Sequence, residues 1–347
     1  MSKQFGYLVF IGRFQPFHIG HKRVIEKALD LADNVIILLG SAHQPRTPKN
    51  PWTAQERATM IYDGLDLGED AKRVIVVPLR DQMYNDQKWV GSVQQTVDDV
   101  IRGRGWTDYP PRVGLIGHSK DESSYYLKMF PQWTLIDHDM DEILSATDLR
   151  ELYFEGKNLK FLQSLVPPST FSWLEAFRWT PDFTKLAHEY QVIKDYKQSW
   201  SVAPHPPTFT TCDAVVIQSG HILLIERKAA PGAGSWALPG GFVDVGERII
   251  DGVVRELREE TRLKVPDPVI RGSIKASHVF DHPNRSLRGR TITHAFLIEL
   301  APGELPKVKG GDDAKKAQWF SLNDVDKMSD QLFEDHFDII NYFLGRV

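Results

Sequence analysis

Two stretches of this 347-residue chain carry side chains whose types and spacing suit work on phosphates. The first is Gly12-Arg13-Phe14-Gln15-Pro16-Phe17-His18-Ile19-Gly20-His21. An arginine and two imidazoles supply donors for phosphate oxygens, Gly12 lets a ligand approach the backbone, Pro16 stiffens the loop and Gly20 leaves room beside the rings. The second runs from Gly240-Gly241-Phe242 through Glu247 to Arg255-Glu256-Leu257-Arg258-Glu259-Glu260. On a helix Glu256 meets Glu259 and Glu260 at offsets of three and four, so three carboxylates share one side and repel. A divalent cation is their natural partner, and oxygen-only ligands favour Mg²⁺ or Mn²⁺ over zinc. Such an ion polarises a diphosphate and ionises a water, which gives hydrolysis of a nucleoside diphosphate linked to another group. The competing accounts are structural: one histidine caps a helix while the other packs on the sheet, and the glutamates form a solvated helix face.

The elements that position these residues are visible in the hydrophobic pattern. Tyr7 to Ile11 reads as a buried strand, and Val24, Ile25, Ala28, Leu29 and Ala32 recur at helical spacing. The first motif therefore fills a strand-to-helix turn, where free N–H groups and the positive end of the helix dipole suit an anion. Further strands read at Val35 to Gly40, Val74 to Pro78, Val113 to Gly117 and Trp133 to Asp137, with a helix starting at Thr53 and another over Trp89 to Ile101. Strands alternating with helices imply a doubly wound parallel sheet in an α/β domain, with ligands beyond the carboxyl ends of the strands. The second half reads differently: strands at Thr208 to Gln218 and His221 to Arg227, strand patterns at Val269 to Ser277 and Thr291 to Leu300, and Gln318-Trp319-Phe320 followed by an amphipathic helix to Leu344.

Composition bounds the class. The length suits two domains, and a formal charge of −4 with no Lys/Arg-rich tail leaves no footprint for nucleic acid. The one cysteine, Cys212, rules out an intramolecular disulfide framework and fits a reducing compartment. No run is apolar enough to span a bilayer and no signal-peptide pattern opens the chain, so the expectation is a cytoplasmic protein without membrane contact. The proline cluster Pro204-His205-Pro206-Pro207 closes a linker placed within 179–206, between domains at 1–178 and 207–347.

The run Gly12 to His21, with Leu144-Ser145-Ala146-Thr147-Asp148-Leu149-Arg150 at the far end, resembles the paired signatures of the nucleotidylyltransferase superfamily. Its form is closest to archaeal-type nicotinamide-mononucleotide (NMN) adenylyltransferases. The resemblance implies ATP contacts from Gly12, Arg13, Phe14, His18, Gly20, His21, Gly117, His118, Ser145, Thr147 and Arg150, with Arg13, His18, His21 and Arg150 catalytic. It implies an NMN pocket from Lys49, Asp81, Asn85 and Trp89, the tryptophan stacking on the pyridinium. Family members commonly carry Arg where this chain has Lys49, which loses the bidentate fork. Alternatives stay open: Ser145 or Thr147 as a helix cap, and Trp89 as the first core residue of its helix.

The second motif is similar to the Nudix box, which implies an α/β/α domain with a mixed sheet. Glu256, Glu259 and Glu260 become metal ligands and catalytic residues, Glu247 assists, and Arg255 orients a carboxylate. The box expects Gly where this chain has Arg262, at a helix stop of positive φ. Gly241 and the arginines of the loop 278–290, Arg285, Arg288 and Arg290, are the substrate contacts, against the reading of a solvated hairpin loop. Together the resemblances point to bifunctional NMN adenylyltransferase/Nudix hydrolases acting on ATP, NMN and ADP-ribose, with a homo-oligomer left open. The alternative is an adenylyltransferase with another phosphorylated acceptor, its Nudix half a ligand sensor or assembly module.

Overall fold

The computed structural model describes residues 3–105, 111–117, 122–137, 145–156 and 159–346. Contacts divide the chain into Met1–Ala187 and His188–Val347.

The first unit runs β1 (Phe5–Gly12), α1 (Ile19–Leu31), β2 (Ala32–Leu39), α2 (Ala54–Leu65), β3 (Val74–Pro78), α3 (Asp86–Gly103), β4 (Val113–Gly117), β5 (Thr134–Asp137), α4 (Ala146–Phe154) and α5 (Pro168–Phe177). Its five strands pair in the order β3-β2-β1-β4-β5, each pair parallel. Tyr7, Val9 and Ile11 pack with Val93, Val97 and Ile101 of α3, while Leu8 and Phe10, which alternation turns to the other face, are buried as well. The order reverses between β1 and β4, and a crevice opens at such a switch point beyond the strand ends. Gly12 and Gly117 close the two strands that flank it. Strand β2 begins earlier than its apolar run, at Ala32, because α1 ends on Leu31 and the chain turns straight into the ladder. Thr53 caps α2 in a full capping box with Glu56. The stretch expected as a linker is largely one helix, α6 (Pro181–Ser199), and the division between units falls within it.

The second unit comprises β6 (Thr208–Gln218), β7 (His221–Arg227), β8 (Trp236–Ala237), β9 (Gly240–Phe242), α7 (Ile249–Thr261), α8 (Asp267–Gly272), β10 (Ile274–Phe280), β11 (Arg290–Glu299), β12 (Ala314–Ser321), α9 (Leu322–Val325) and α10 (His336–Phe343). Its sheet is mixed: the order is β10-β11-β6-β7-β12, with β8 on β7, β9 on β6, and β11 parallel to β6. Cys212, Ala214, Val216 and Leu223 bury against Val253, Val254 and Leu257 of α7.

Two expectations are corrected. Residues 269–272, read as the start of a strand, belong to the short helix α8, since Pro266 holds extended backbone just before it and Pro268 at its start favours helical φ. The amphipathic stretch to Leu344 is not one helix. It breaks between α9 and α10 because the Trp236 N–H donates to Gln331 O and the Phe333 N–H to Trp236 O, so the chain there is held by a single parallel bridge of Leu332 to Trp236.

Arg262 keeps the left-handed geometry that glycine usually supplies, with φ 53° at the end of α7. A side chain there costs about 1 kcal/mol. Arg262→Gly is expected to raise stability by about 1 kcal/mol in denaturant melts and to leave turnover unchanged; a loss of stability would show that the Arg262 side chain outweighs the strain.

Candidate active sites

In the first unit the motif loop is pinned from three sides. The Gln15 side chain donates to Trp52 O (3.0 Å) and accepts from the Trp52 N–H (3.0 Å). Arg150 donates to Gln15 O (2.7 Å) and to Thr147 Oγ1 (3.0 Å). Arg57 is 0% exposed and donates from Nη1 to both Arg13 O (2.6 Å) and Gly40 O (2.7 Å). Buried carbonyls need partners, and one guanidinium serves two motif loops. Arg57 lies inside a motif segment, but its role escapes sequence reasoning: a helical arginine reads as surface until its burial is known.

The cations are crowded. Burial and the neighbouring Arg13 push Arg150 down to about 10, and burial with partial relief from Asp81 does the same to Arg57. Arg13 is lowered by burial against the attraction of Asp81, and its Nη1 has no hydrogen-bond partner among the described residues. The same holds for His21 Nδ1. His18 caps α1 by accepting the His21 N–H at 3.4 Å, and the rings stack with centroids 3.6 Å apart. Burial and the adjacent ring hold His21 well below the ordinary imidazole value, so it is neutral and offers one N–H. His18 thus serves as a helix cap and His21 packs among the rings of His18, Phe14 and Phe17, which leaves a buried nitrogen and a buried guanidinium N–H unanswered. A polyphosphate would answer both.

The remaining first-unit residues separate. Gly12 is needed for packing: a Cβ there would lie 3.0 Å from the Phe14 ring. Gly20 is buried in α1. Ser145 caps α4 by accepting the Thr147 N–H. Asp81 accepts from Ser41 N (2.9 Å) and Ser41 Oγ (2.6 Å), tying two loops together, and Asn85 caps α3 through the Lys88 N–H. Trp89 is partly buried against Tyr126 and Phe130, at centroid distances of 5.9 and 5.8 Å. Lys49 is half-buried in the 41–52 loop. His118 lies outside the described residues.

In the second unit Arg255 is the hub. It donates to Glu247 Oε1 (2.9 Å) and Oε2 (3.0 Å), Glu256 Oε1 (2.9 Å), Glu259 Oε2 (3.0 Å) and Phe242 O (3.2 Å). The positive charge that the glutamates require is thus supplied by the chain itself. Among the described residues no three His, Cys, Asp or Glu side chains are grouped to hold an ion as they stand. Glu260 points elsewhere: it is buried and accepts the Gly240 N–H at 2.9 Å. Burial, aided by Glu256, pushes its carboxyl up to about 8, and burial also raises Glu256. Two neighbouring acids that resist ionisation, with oxygen donors throughout, fit a hard divalent cation. Gly241 leaves room for the Glu256 carboxylate: a Cβ would sit 2.5 Å from Glu256 Oε1 and displace it.

The arginine loop is not a uniform clamp. Arg285 is buried in a two-pronged pair with Asp335 (2.8 and 2.9 Å), so its charge is spent within the fold and it leaves the set of candidate contacts. Arg290 donates to Asp281 O within its own loop. Arg288 lies over Phe242 at 5.2 Å and 4.0 Å from Glu334. Arg227, at the end of β7, stacks on Phe333 at 4.0 Å, and the charge of Glu260 reaches it. Sequence reasoning passed over it because a basic residue ending a strand carries no spacing signal.

Residues 9–152 match the cytidylyltransferase-like family model and residues 208–343 the NUDIX domain model. The nicotinamide/nicotinic acid mononucleotide adenylyltransferase of Acinetobacter baylyi is 46% identical over 189 residues, 54% of this chain and 95% of that protein. The ADP-ribose pyrophosphatase of Methanocaldococcus jannaschii is 39% identical over 132 residues, 38% of this chain and 70% of that protein. A bifunctional NMN adenylyltransferase/ADP ribose pyrophosphatase from Francisella tularensis, solved in complex with AMP and a Mn ion, is 35% identical. It superposes with a TM-score of 0.91 over 98% of this chain and 99% of that one.

Removing the Arg57 fork strands buried carbonyls, so Arg57→Met is expected to destabilise the first unit by about 3 kcal/mol or more; a denaturation midpoint equal to that of the parent would contradict this. The raised Glu260 value fixes a sign: the folded state holds a proton that the unfolded state releases near 4.5, so in chelator stability falls as pH rises from about 4.5 to about 8. Glu260→Gln should flatten that slope in thermal melts across this window.

Proposed function

The chain belongs to the family of bifunctional NMN adenylyltransferase/ADP-ribose pyrophosphatases, and on that premise we propose how its two halves divide the chemistry. The N-terminal half transfers AMP from ATP to NMN, giving NAD and pyrophosphate. The C-terminal half hydrolyses ADP-ribose to AMP and ribose 5-phosphate. We place the transferase at 1–178 and the hydrolase at 207–347, joined through 179–206.

Adenylyl transfer needs an in-line approach of two polyanions and neutralisation of the charge that builds on the leaving pyrophosphate; it needs no protein nucleophile. Arg13, His18, His21 and Arg150 supply those donors, with Arg57 holding the loops that carry them. Gly12, Phe14, Gly20, Gly117, His118, Ser145 and Thr147 complete the ATP contacts, and Lys49, Asp81, Asn85 and Trp89 the NMN pocket. In the second half Glu256, Glu259 and Glu260, with Glu247, are the residues that would hold Mg²⁺ or Mn²⁺, which supplies Lewis acidity toward the diphosphate when bound. Water attacks phosphorus and gives up its proton to solvent, one P–O bond of the diphosphate breaks, and the oxygen of the departing phosphate keeps the electron pair. Arg255 keeps Glu247, Glu256 and Glu259 in register through this, while Arg288 and Arg290 stand nearest to a role in gripping the substrate phosphates.

One observation supports both assignments: each half buries several groups of one sign, Arg13, Arg57 and Arg150 in the first and Glu256 and Glu260 in the second, whose charged forms burial disfavours. The relatives do not favour another acceptor or a non-catalytic second half. Among the described residues no helix is long and apolar enough to cross a membrane, and the lone buried Cys212 fits a cytoplasmic enzyme of small-molecule substrates.

With ATP, NMN and Mg²⁺, His18→Ala should release pyrophosphate about 10²-fold more slowly than the parent; equal release removes His18 from the site. Changing Glu256, Glu259 and Glu260 together to Gln should abolish AMP formation from ADP-ribose, and turnover that survives refutes the metal assignment. Trp89→Ala should raise the KM for NMN and leave that for ATP unchanged, whereas an unchanged KM for NMN assigns Trp89 to the core alone.

A further inference from the structure

Between β8 and β9 the chain changes partner strands. Ala237 is paired to Ile225 of β7, whereas Gly240 faces Asp213 and Gly241 faces Cys212 of β6. Pro239 already gives its carbonyl to the Ala214 N–H. Leu238 is the residue at the crossing; it is buried, and its N–H has left one ladder without a place in the next. That N–H donates to His336 Nδ1 at 2.8 Å. Because Nδ1 accepts, the ring proton sits on Nε2, which faces Asp213 Oδ1 at 3.8 Å. Burial pushes the imidazole down to about 3, so this tautomer persists through the neutral range.

The acidic site begins just beyond the crossing. Two residues on, the Gly240 N–H holds Glu260, and Gly241 lies against the Glu256 carboxylate. A slip of the crossing moves both glycines relative to α7. His336 in turn is fixed by its neighbours: Phe333 is tied by its N–H to Trp236 O, Glu334 accepts from Ser286 Oγ (2.7 Å), and Asp335 is locked on Arg285.

We propose that His336 is a positioning residue of the hydrolytic site: by holding the Leu238 N–H it sets the register of β9 on β6, and through Gly240 and Gly241 the placement of Glu260 and Glu256. The inference rests on the reading of this half as a divalent-cation hydrolase. His336 touches neither substrate nor ion and acts through the strand.

The test uses the full chain, with Mn²⁺ binding measured by electron paramagnetic resonance beside ADP-ribose turnover. His336→Phe keeps the ring volume and loses the acceptor; His336→Asn returns an acceptor at the position of Nδ1. Phe is expected to weaken Mn²⁺ binding about tenfold and to lower kcat about 10- to 100-fold with KM for ADP-ribose within about threefold, the range for a partner acting behind the metal ligands. Asn should restore most of both. Pyrophosphate release from ATP and NMN by the same polypeptide stays at the parental rate and reports that the first unit is unaffected, while an unchanged far-ultraviolet circular dichroism spectrum reports that the second is folded. Parental Mn²⁺ affinity in the Phe variant, or equal impairment by Phe and Asn, overturns the proposal. Should Phe not fold, His336→Gln carries the acceptor one bond too far and must bind Mn²⁺ more weakly than Asn; equal affinities overturn it again. A parent that binds Mn²⁺ but leaves ADP-ribose intact refutes the substrate reading while the Mn²⁺ comparison still decides on His336, and a parent that binds no Mn²⁺ defeats both.

Discussion

Like charges held together away from water are the constraint on which both halves of this protein turn. Taking an ion out of water costs several kcal/mol, and a second ion of the same sign beside it adds to that cost. The first half gathers Arg13, Arg57 and Arg150; the second gathers Glu256 and Glu260, with Glu247 and Glu259 at the rim. As like charges both groupings oppose folding; what Arg57 and Arg150 contribute to the fold comes through their hydrogen bonds to backbone carbonyls. A charge of the opposite sign placed beside either grouping lowers that cost.

The fold tolerates these groupings because the charges are anchored to the backbone. Arg57 and Arg150 spend N–H groups on the carbonyls of Arg13, Gly40 and Gln15, so the guanidinium groups double as struts for the motif loops. Glu260 is held by the Gly240 N–H, and Arg255 spans three carboxylates and the Phe242 carbonyl. Anchoring of this kind leaves little freedom to be lost when a ligand binds. It also explains why the glycines sit where they do: the bare Cα of Gly241 admits a carboxylate, and that of Gly12 admits the Phe14 ring.

The arginines of the second half show how differently the same residue type can be used. Arg285 and Asp335 form a fully buried pair that fixes the 282–290 loop to the start of α10, while Arg288 and Arg227 keep their faces on Phe242 and Phe333. A run of arginines in one loop therefore divides into a structural bolt, Arg285, and residues held on an aromatic face or a loop carbonyl, Arg288 and Arg290. The broken C-terminal helix matters for the same reason: a continuous helix from β12 would have carried Phe333, Glu334, Asp335 and His336 around its axis, whereas the bridge of Leu332 to Trp236 and the turn after it bring them to Arg227, Ser286, Arg285 and the Leu238 N–H.

The sequence by itself determined the local features. The strand-to-helix turn at 12–21, the capping box at Thr53 and Glu56, the parallel alternation of the first half and the helix carrying Glu256, Glu259 and Glu260 follow from periodicity and spacing within a few turns of chain. The departure at Arg262 was legible too, since the helix stop requires a left-handed residue whatever its side chain. Tertiary structure decided which charges meet. Whether Arg285 faces a substrate or Asp335, whether the glutamates await a cation alone or already share Arg255, and whether His336 reaches the Leu238 N–H depend on segments tens of residues apart. A charged side chain has the same local signature buried or exposed; only the fold sets its desolvation and its partner, and those two quantities set its role.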